Sequence, residues 1–289
     1  STTYSVAISA DGQYLVSGGS DKKIVVRSLH TGRIIRTLSG HTDGVKSVAI
    51  SESGQTLFSC SWDNTIKVWN LQSSKALGDG LLYTFAESEA GVNCICIAPD
   101  GKTLATGNED GNIGLWNLEK QANFRTLTAH KNGIKSIAIT PDGKMLATGS
   151  ADETIKIWHL PTGELLHTLE GHSEWVKSLA ISPDGKTLIS GAQDKTIKLW
   201  NLQTAELLNT LEGHWDEVTS IAINRDGNTL ASGGGNLDQT IRIWHLKTGT
   251  LLQVLEGHFN GISSIAMTPD GEKIVSSSWD KTIRVWGAR

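Results

Sequence analysis

A histidine, a hydroxyl residue and an aspartate recur together along the chain. The sets are His41, Ser59 and Asp63; His130, Thr148 and Asp152; His172, Ser190 and Asp194; His214, Ser232 and Asp238; and His258, Ser276 and Asp280. These are the residue types of nucleophilic acyl transfer, in which a histidine takes the proton of a serine and a carboxylate orients the imidazole. Five copies argue against that chemistry, because a hydrolase needs one nucleophile beside one oxyanion hole. Each set is also followed, six residues after its aspartate, by a tryptophan: Trp69, Trp158, Trp200, Trp244 and Trp286. An indole N–H needs an acceptor, and a carboxylate can accept from an imidazole and from turn N–H groups at once. The sets therefore read as structural polar networks, with no catalytic residue among them, and the chain reads as a non-enzyme.

What must position these groups is a repeat. Asp and Trp stand six apart at 63/69, 110/116, 152/158, 194/200, 238/244 and 280/286, and a degenerate first copy pairs Asp21 with Arg27. The tryptophans are 42 to 47 residues apart, and Gly-His or Ala-His pairs fall between them at 40–41, 129–130, 171–172, 213–214 and 257–258. Such a period means stacked copies of one supersecondary unit. Between Gly171 and Gly213 four short runs rich in Val, Ile, Leu and Thr are separated by turn residues, which predicts a four-stranded antiparallel meander, strands a to d. Each sheet is apolar on both faces, so the sheets must cover one another radially. The expected fold is all-β: one seven-bladed β-propeller of four-stranded antiparallel sheets spanning residues 1–289.

The order Gly-His, then Ser-x-x-x-Asp-x-Thr-Ile-x-x-Trp, resembles the WD-repeat (Trp-Asp repeat) family along the whole chain. The residue after the tryptophan is here Asn70, Asn117, His159, Asn201, His245 or Gly287, so the name-giving dipeptide is absent while the rest of the frame is intact. The resemblance implies that each His, Ser/Thr, Asp and Trp forms a tetrad tying strand c to strand b and the d–a loop. It also implies a platform for protein partners, which in this family use loop positions counted from the His and the Asp.

Composition narrows the function. The net charge of −4 supplies no global attraction to nucleic acid. Lys67, Lys156, Lys198, Arg242 and Arg284 share one repeat position, expected to be a solvated site on the side of each blade. No apolar run reaches the length of a spanning helix and no signal-peptide pattern opens the sequence, so a cytoplasmic, membrane-free protein is expected. No Gly-rich phosphate loop or clustered metal motif stands out, and no cofactor or metal is expected. Cys60, Cys94 and Cys96 read as buried thiols in strands.

The copies depart from one another in four places. Five extra residues, including Gly78-Asp79-Gly80, lengthen the second c–d loop, and Gly233 to Leu237 adds two residues to the sixth b–c loop. Ser88, in the run Glu87-Ser88-Glu89-Ala90-Gly91, stands where a histidine belongs. Loop drift alone accounts for such changes. Counting strands gives seven a, b and c but six d, so the seventh blade is expected to lack its outer strand. The sequence is accordingly expected to be part of a longer multidomain protein whose preceding residues supply that strand.

The favoured function is a non-catalytic, monomeric scaffold for a protein or peptide partner, one able to carry an acidic group. The alternatives are a regulatory or targeting domain of a larger signalling enzyme (a kinase or NTPase encoded upstream) and a ligand-binding or enzymatic propeller. Antiparallel geometry puts the d–a and b–c loops on one face. Six of the ten tryptophans belong to strand c, and the other four fall in these loops: Trp62, Trp175, Trp215 and Trp279. With Tyr4 and Phe259 they are expected to form a contiguous partner-binding arc. Lys46, Lys135 and Lys177, each five residues after its histidine, are expected on the inner rim.

Overall fold

The computed structural model describes residues 1–72, 80–86 and 90–287 and holds 27 strands in seven antiparallel sheets. Six sheets have four strands in the order a–b–c–d. The seventh has three, Ile262–Met267, Lys273–Ser278 and Ile283–Gly287, as the strand count predicts. Blade five shows how closely the meander follows the sequence pattern, with strands at Val176–Ile181, Thr187–Ala192, Ile197–Asn201 and Leu207–Leu211. Its a–b turn is held by the Asp184 carboxylate, which accepts from the Ser182 hydroxyl and the Lys186 amide. Residue 185 carries φ of +70°, a conformation glycine adopts without strain.

The core lies between blades rather than within them. Ala147, Ile155, Ile157 and Leu169 of blade four pack on Val176, Leu179, Leu188 and Trp200 of blade five. The equivalent cluster at the seam between blades seven and one is the smallest, made of Val6, Leu15, Leu29 and Val275. Around the axis the inner a strands are also joined by side chains. The hydroxyls of Ser5, Ser136, Ser178, Ser220 and Ser264 each accept an N–H from the next blade's a strand, and Ser264 receives that of Val6 at 3.2 Å. The same joint that links neighbouring blades thus also closes the ring.

One irregularity recurs in every blade. At the start of strand a, the register skips the second residue: Tyr4, Lys46, Asn93, Lys135, Lys177, Thr219 and Ser263. Each is the extra residue of a β-bulge, a device that re-aims a side chain out of the pleat. Seven bulges set seven side chains around one opening.

The five cations at the shared strand-c position are not solvated as expected. Lys67 and Arg242 are buried, and the other three are half-buried. The ammonium groups of Lys67 and Lys198 donate to Thr84 and Thr210 on strand d, and that of Lys156 donates to the Ala129 carbonyl. A long aliphatic stem can cover apolar surface while its charged end finds local acceptors. The lengthened second c–d loop, including Gly78-Asp79, and the position of Ser88 lie outside the described residues.

Candidate functional site

The polar networks come first because they set the loops. His172 bonds to Asp194 through Nδ1 at 2.7 Å and to Ser190 through Nε2 at 2.7 Å, while the Trp200 indole donates to the same Ser190 oxygen at 2.9 Å. A hydroxyl that accepts from an indole gives its own hydrogen to the imidazole, which leaves Nδ1–H to donate to the carboxylate. Blades two, four, six and seven repeat this chain through His41, His130, His214 and His258. The hydroxyl residues Ser59, Thr148, Ser190, Ser232 and Ser276 are fully buried, so none could meet a substrate. A threonine two residues after each aspartate is a fifth member, its hydroxyl donating to the carboxylate. It stands in the repeat motif, although no role was read for it from the sequence.

Electrostatics agree with a neutral imidazole. Burial lowers the pKa values of His41 and His130, outweighing the attraction of Asp63 and Asp152. Burial alone would raise the Asp194 carboxyl, but hydrogen bonds from His172 and Thr196 with the imidazole's field hold it at about 2. Against the same opposing burial, Asp238 and Asp280 are lowered by hydrogen bonds from their histidine, threonine and loop amide. In blade three only part of the chain is described: the Trp116 indole donates to Thr106, and Asn108 accepts from the amides of Asp110 and Asn112.

With the loops so held, a second backbone bond joins them in all seven blades. The residue before the loop aspartate, or Gly235 in the lengthened loop of blade six, donates its N–H to the carbonyl of the residue before strand a. The pairs are Ser20 with Thr2, Trp62 with Gly44, Glu109 with Gly91, Ala151 with Gly133, Gln193 with Trp175, Gly235 with Glu217, and Trp279 with Gly261. Five of the seven contain a glycine, and the space explains it. A Cβ on Gly44 would lie 3.1 Å from the Trp62 ring and 3.3 Å from that of Tyr4. The b–c and d–a loops therefore share one face, as strand direction requires.

Side chains from the bulges and from these pairs converge on a depression of about 380 Å³ at the mouth of the central opening. Tyr4, Trp175 and Trp279 line it together with Lys46, Lys135 and Lys177, and Trp62 packs edge-on to Tyr4 at 5.3 Å between ring centres. Two acidic residues not singled out from the sequence sit among them. Glu109 pairs with Lys135 at 2.8 Å and Glu217 with Lys177 at 3.0 Å. A signal for both was present: Glu109 shares its repeat position with Trp62 and Trp279, and Glu217 shares its own with Trp175. The three other bulge residues tie blades together, with Asn93, Thr219 and Ser263 donating to the carbonyls of Ile134, Ile262 and Thr3.

Trp215 and Phe259 do not join the mouth. Each immediately follows its network histidine, and its amide donates to the loop aspartate, while its ring stands out at 76% and 81% exposure. Leu237, from the lengthened sixth b–c loop, is 83% exposed, and its amide is anchored on Asp216. Of the expected arc, Tyr4, Trp62, Trp175 and Trp279 thus gather at the aromatic and cationic mouth, while Trp215 and Phe259, with Leu237, stand exposed on the loops of blades six and seven. Among the described residues no three His, Cys, Asp or Glu side chains converge as a metal site would require. Burial pushes the Cys96 thiol up to about 11, which leaves it protonated at neutral pH.

The family model described as "WD domain, G-beta repeat" matches residues 1–28, 32–70, 80–117, 122–159, 163–201, 205–245 and 249–287. The chain is also similar to "Protein groucho" of Drosophila melanogaster, at 38% identity over 74 residues, which make up 26% of this chain. The matched segment covers 10% of that relative's length.

Proposed function

The chain belongs to the WD-repeat family, and from that premise we propose that it is a non-catalytic scaffold whose d–a/b–c face binds a protein or peptide. The observation that carries this reading is the concentration of exposed aromatic and apolar anchors, among the described residues, in the loops of that face. Trp62, Trp175, Trp215, Leu237 and Phe259 are each more than two-fifths exposed, and all five lie in its loops. A soluble surface seldom gathers large apolar groups without a partner to cover them. The opposite face carries Asp-Gly hairpins in six blades and Ser53-Gly54 in blade two, whose side chains are spent on their own turns. Rigid aromatic rings on hydrogen-bonded loops give contact area at little entropic cost, which suits recognition of an extended segment.

The test uses peptides selected on the intact protein from a displayed random library. Trp175→Ala and Trp279→Ala are expected to weaken the selected peptides by about 2 kcal/mol each, the usual cost of truncating an aromatic anchor. Lys120→Ala, exposed on the opposite face, should leave affinity unchanged. Equal affinities in all three variants, with melting temperatures intact, would remove the assignment.

A further inference from the structure

Among the described residues the mouth holds three ammonium groups and two carboxylates. Lys135 and Lys177 each meet a glutamate, Glu109 from the b–c loop of the preceding blade and Glu217 from the d–a loop of the following one. For Lys46 the corresponding positions are Ser20 and Gly91, which carry no charge. Among the described residues its ammonium instead lies over two rings, 4.6 Å from the centre of Trp62 and 5.5 Å from that of Tyr4. Aromatic faces hold a cation but leave its N–H groups without an acceptor. A bulge, two rings and a glycine that lets those rings close in therefore present, among the described residues, one cation at the rim that is paired with no carboxylate.

Resting on the reading of this face as the binding face, we propose that Lys46 is the specificity-determining contact for a single Asp or Glu side chain of the bound peptide. The charge count favours a carboxylate over a phosphate. A monoanion cancels the one excess cation, whereas a dianion would face Glu109 and Glu217 across the same opening. No arginine stands among the seven bulge residues to grip a phosphate in two places. The rings beside Lys46 suit an apolar neighbour of the acidic residue, so the occupant is an acidic-aromatic or acidic-aliphatic segment. Burial lowers the pKa of Lys46, with Lys135 and Lys177 adding to the shift and Glu109 opposing it, so an incoming carboxylate would further favour the charged ammonium.

The probe is a selected peptide, N-acetylated and C-amidated so that only side chains carry charge, remade with its acidic residue as Gln or Asn and as phosphoserine. On the unsubstituted protein the amide version should bind about tenfold more weakly, the order expected for a charged hydrogen bond. On Lys46→Met the acidic and amide versions should bind alike, and Lys46→Arg should restore the preference. In the unsubstituted protein the 13Cε signal of Lys46 should shift with the acidic peptide and stay in place with the amide one, which needs no variant. Selected peptides without an acidic residue, an undiminished preference on Lys46→Met, or tighter binding of phosphoserine would each overturn the proposal. If such peptides still respond to Trp175→Ala, the binding face stands and only the role of Lys46 falls. If no selected peptide responds to Trp175→Ala, both fall together.

Discussion

Removing the imidazole of His172 separates the structural reading of the polar networks from a catalytic one. The side chain is 1% exposed and makes two bonds, each of 2.7 Å, to Asp194 and Ser190. In His172→Ala the carboxylate keeps donors from Ser173 and Thr196, so its loss is one charge-assisted bond. The fully buried Ser190 oxygen still accepts from the Trp200 indole, but its own O–H keeps only a long contact to the Lys198 carbonyl at 3.4 Å. Together with the void left beside Trp200, these losses come to about 3–5 kcal/mol. A chain of 289 residues has an unfolding entropy near about 0.6 kcal/mol/K, so the melting temperature should fall by about 5–8 °C. Scanning calorimetry of His172→Ala beside His30→Ala, an exposed histidine, is the assay. A His172→Ala midpoint within about 2 °C of the control would show that the network does not hold the blade together.

Acid should weaken the fold in two stages. The folded pKa values of His41 and His130 lie below the ordinary 6.5, so the unfolded chain takes up protons first; their contribution is complete above 6.5 and is lost as pH falls through the folded values. Asp194, lowered from 3.8 to about 2, adds a second loss across that interval, and a urea midpoint that stays flat from pH 7.5 to 3 would contradict both. Gly44→Ala should cost about 1 kcal/mol by overpacking and displace the Trp62 and Tyr4 rings, altering the near-ultraviolet circular dichroism. An unchanged spectrum would mean that the glycine is not needed for the close approach.

The blades were legible because their signals are local. Alternating apolar residues, Asp-Gly turns and the Asp-to-Trp spacing gave four strands between Gly171 and Gly213, and the sheet of blade five has four there. Pairing across the sheet was not legible. The bulge at the second residue of strand a exists only relative to strand b, so nothing in Val-Lys-Ser-Leu-Ala-Ile itself announces that Lys177 leaves the pleat. Ion pairs between blades, such as Lys135 with Glu109, depend on which loops become neighbours. The expectation that Lys67 and Arg242 are solvated failed for the same reason: strand d and the adjoining loop cover the flank of strand c only once the sheet is assembled. Trp215 and Phe259 were separated from the mouth by their place beside the network histidine, which sets them at the periphery.

The backbone bond that couples each b–c loop to the residue before strand a of the same blade gives the molecule a combinatorial surface. In five blades a glycine at one position makes room for whatever stands at the other, and the two exchange roles: tryptophan projects from the b–c loop in blades two and seven, glutamate from the d–a loop in blade six. Because each pair is closed by its own amide, a change in one blade leaves the backbone closure of the next in place, while side chains still meet across blades at Tyr4–Trp62, Lys135–Glu109 and Lys177–Glu217. A mutation series could therefore rewrite recognition blade by blade, and the vocabulary of the face is independent of the grammar that folds it.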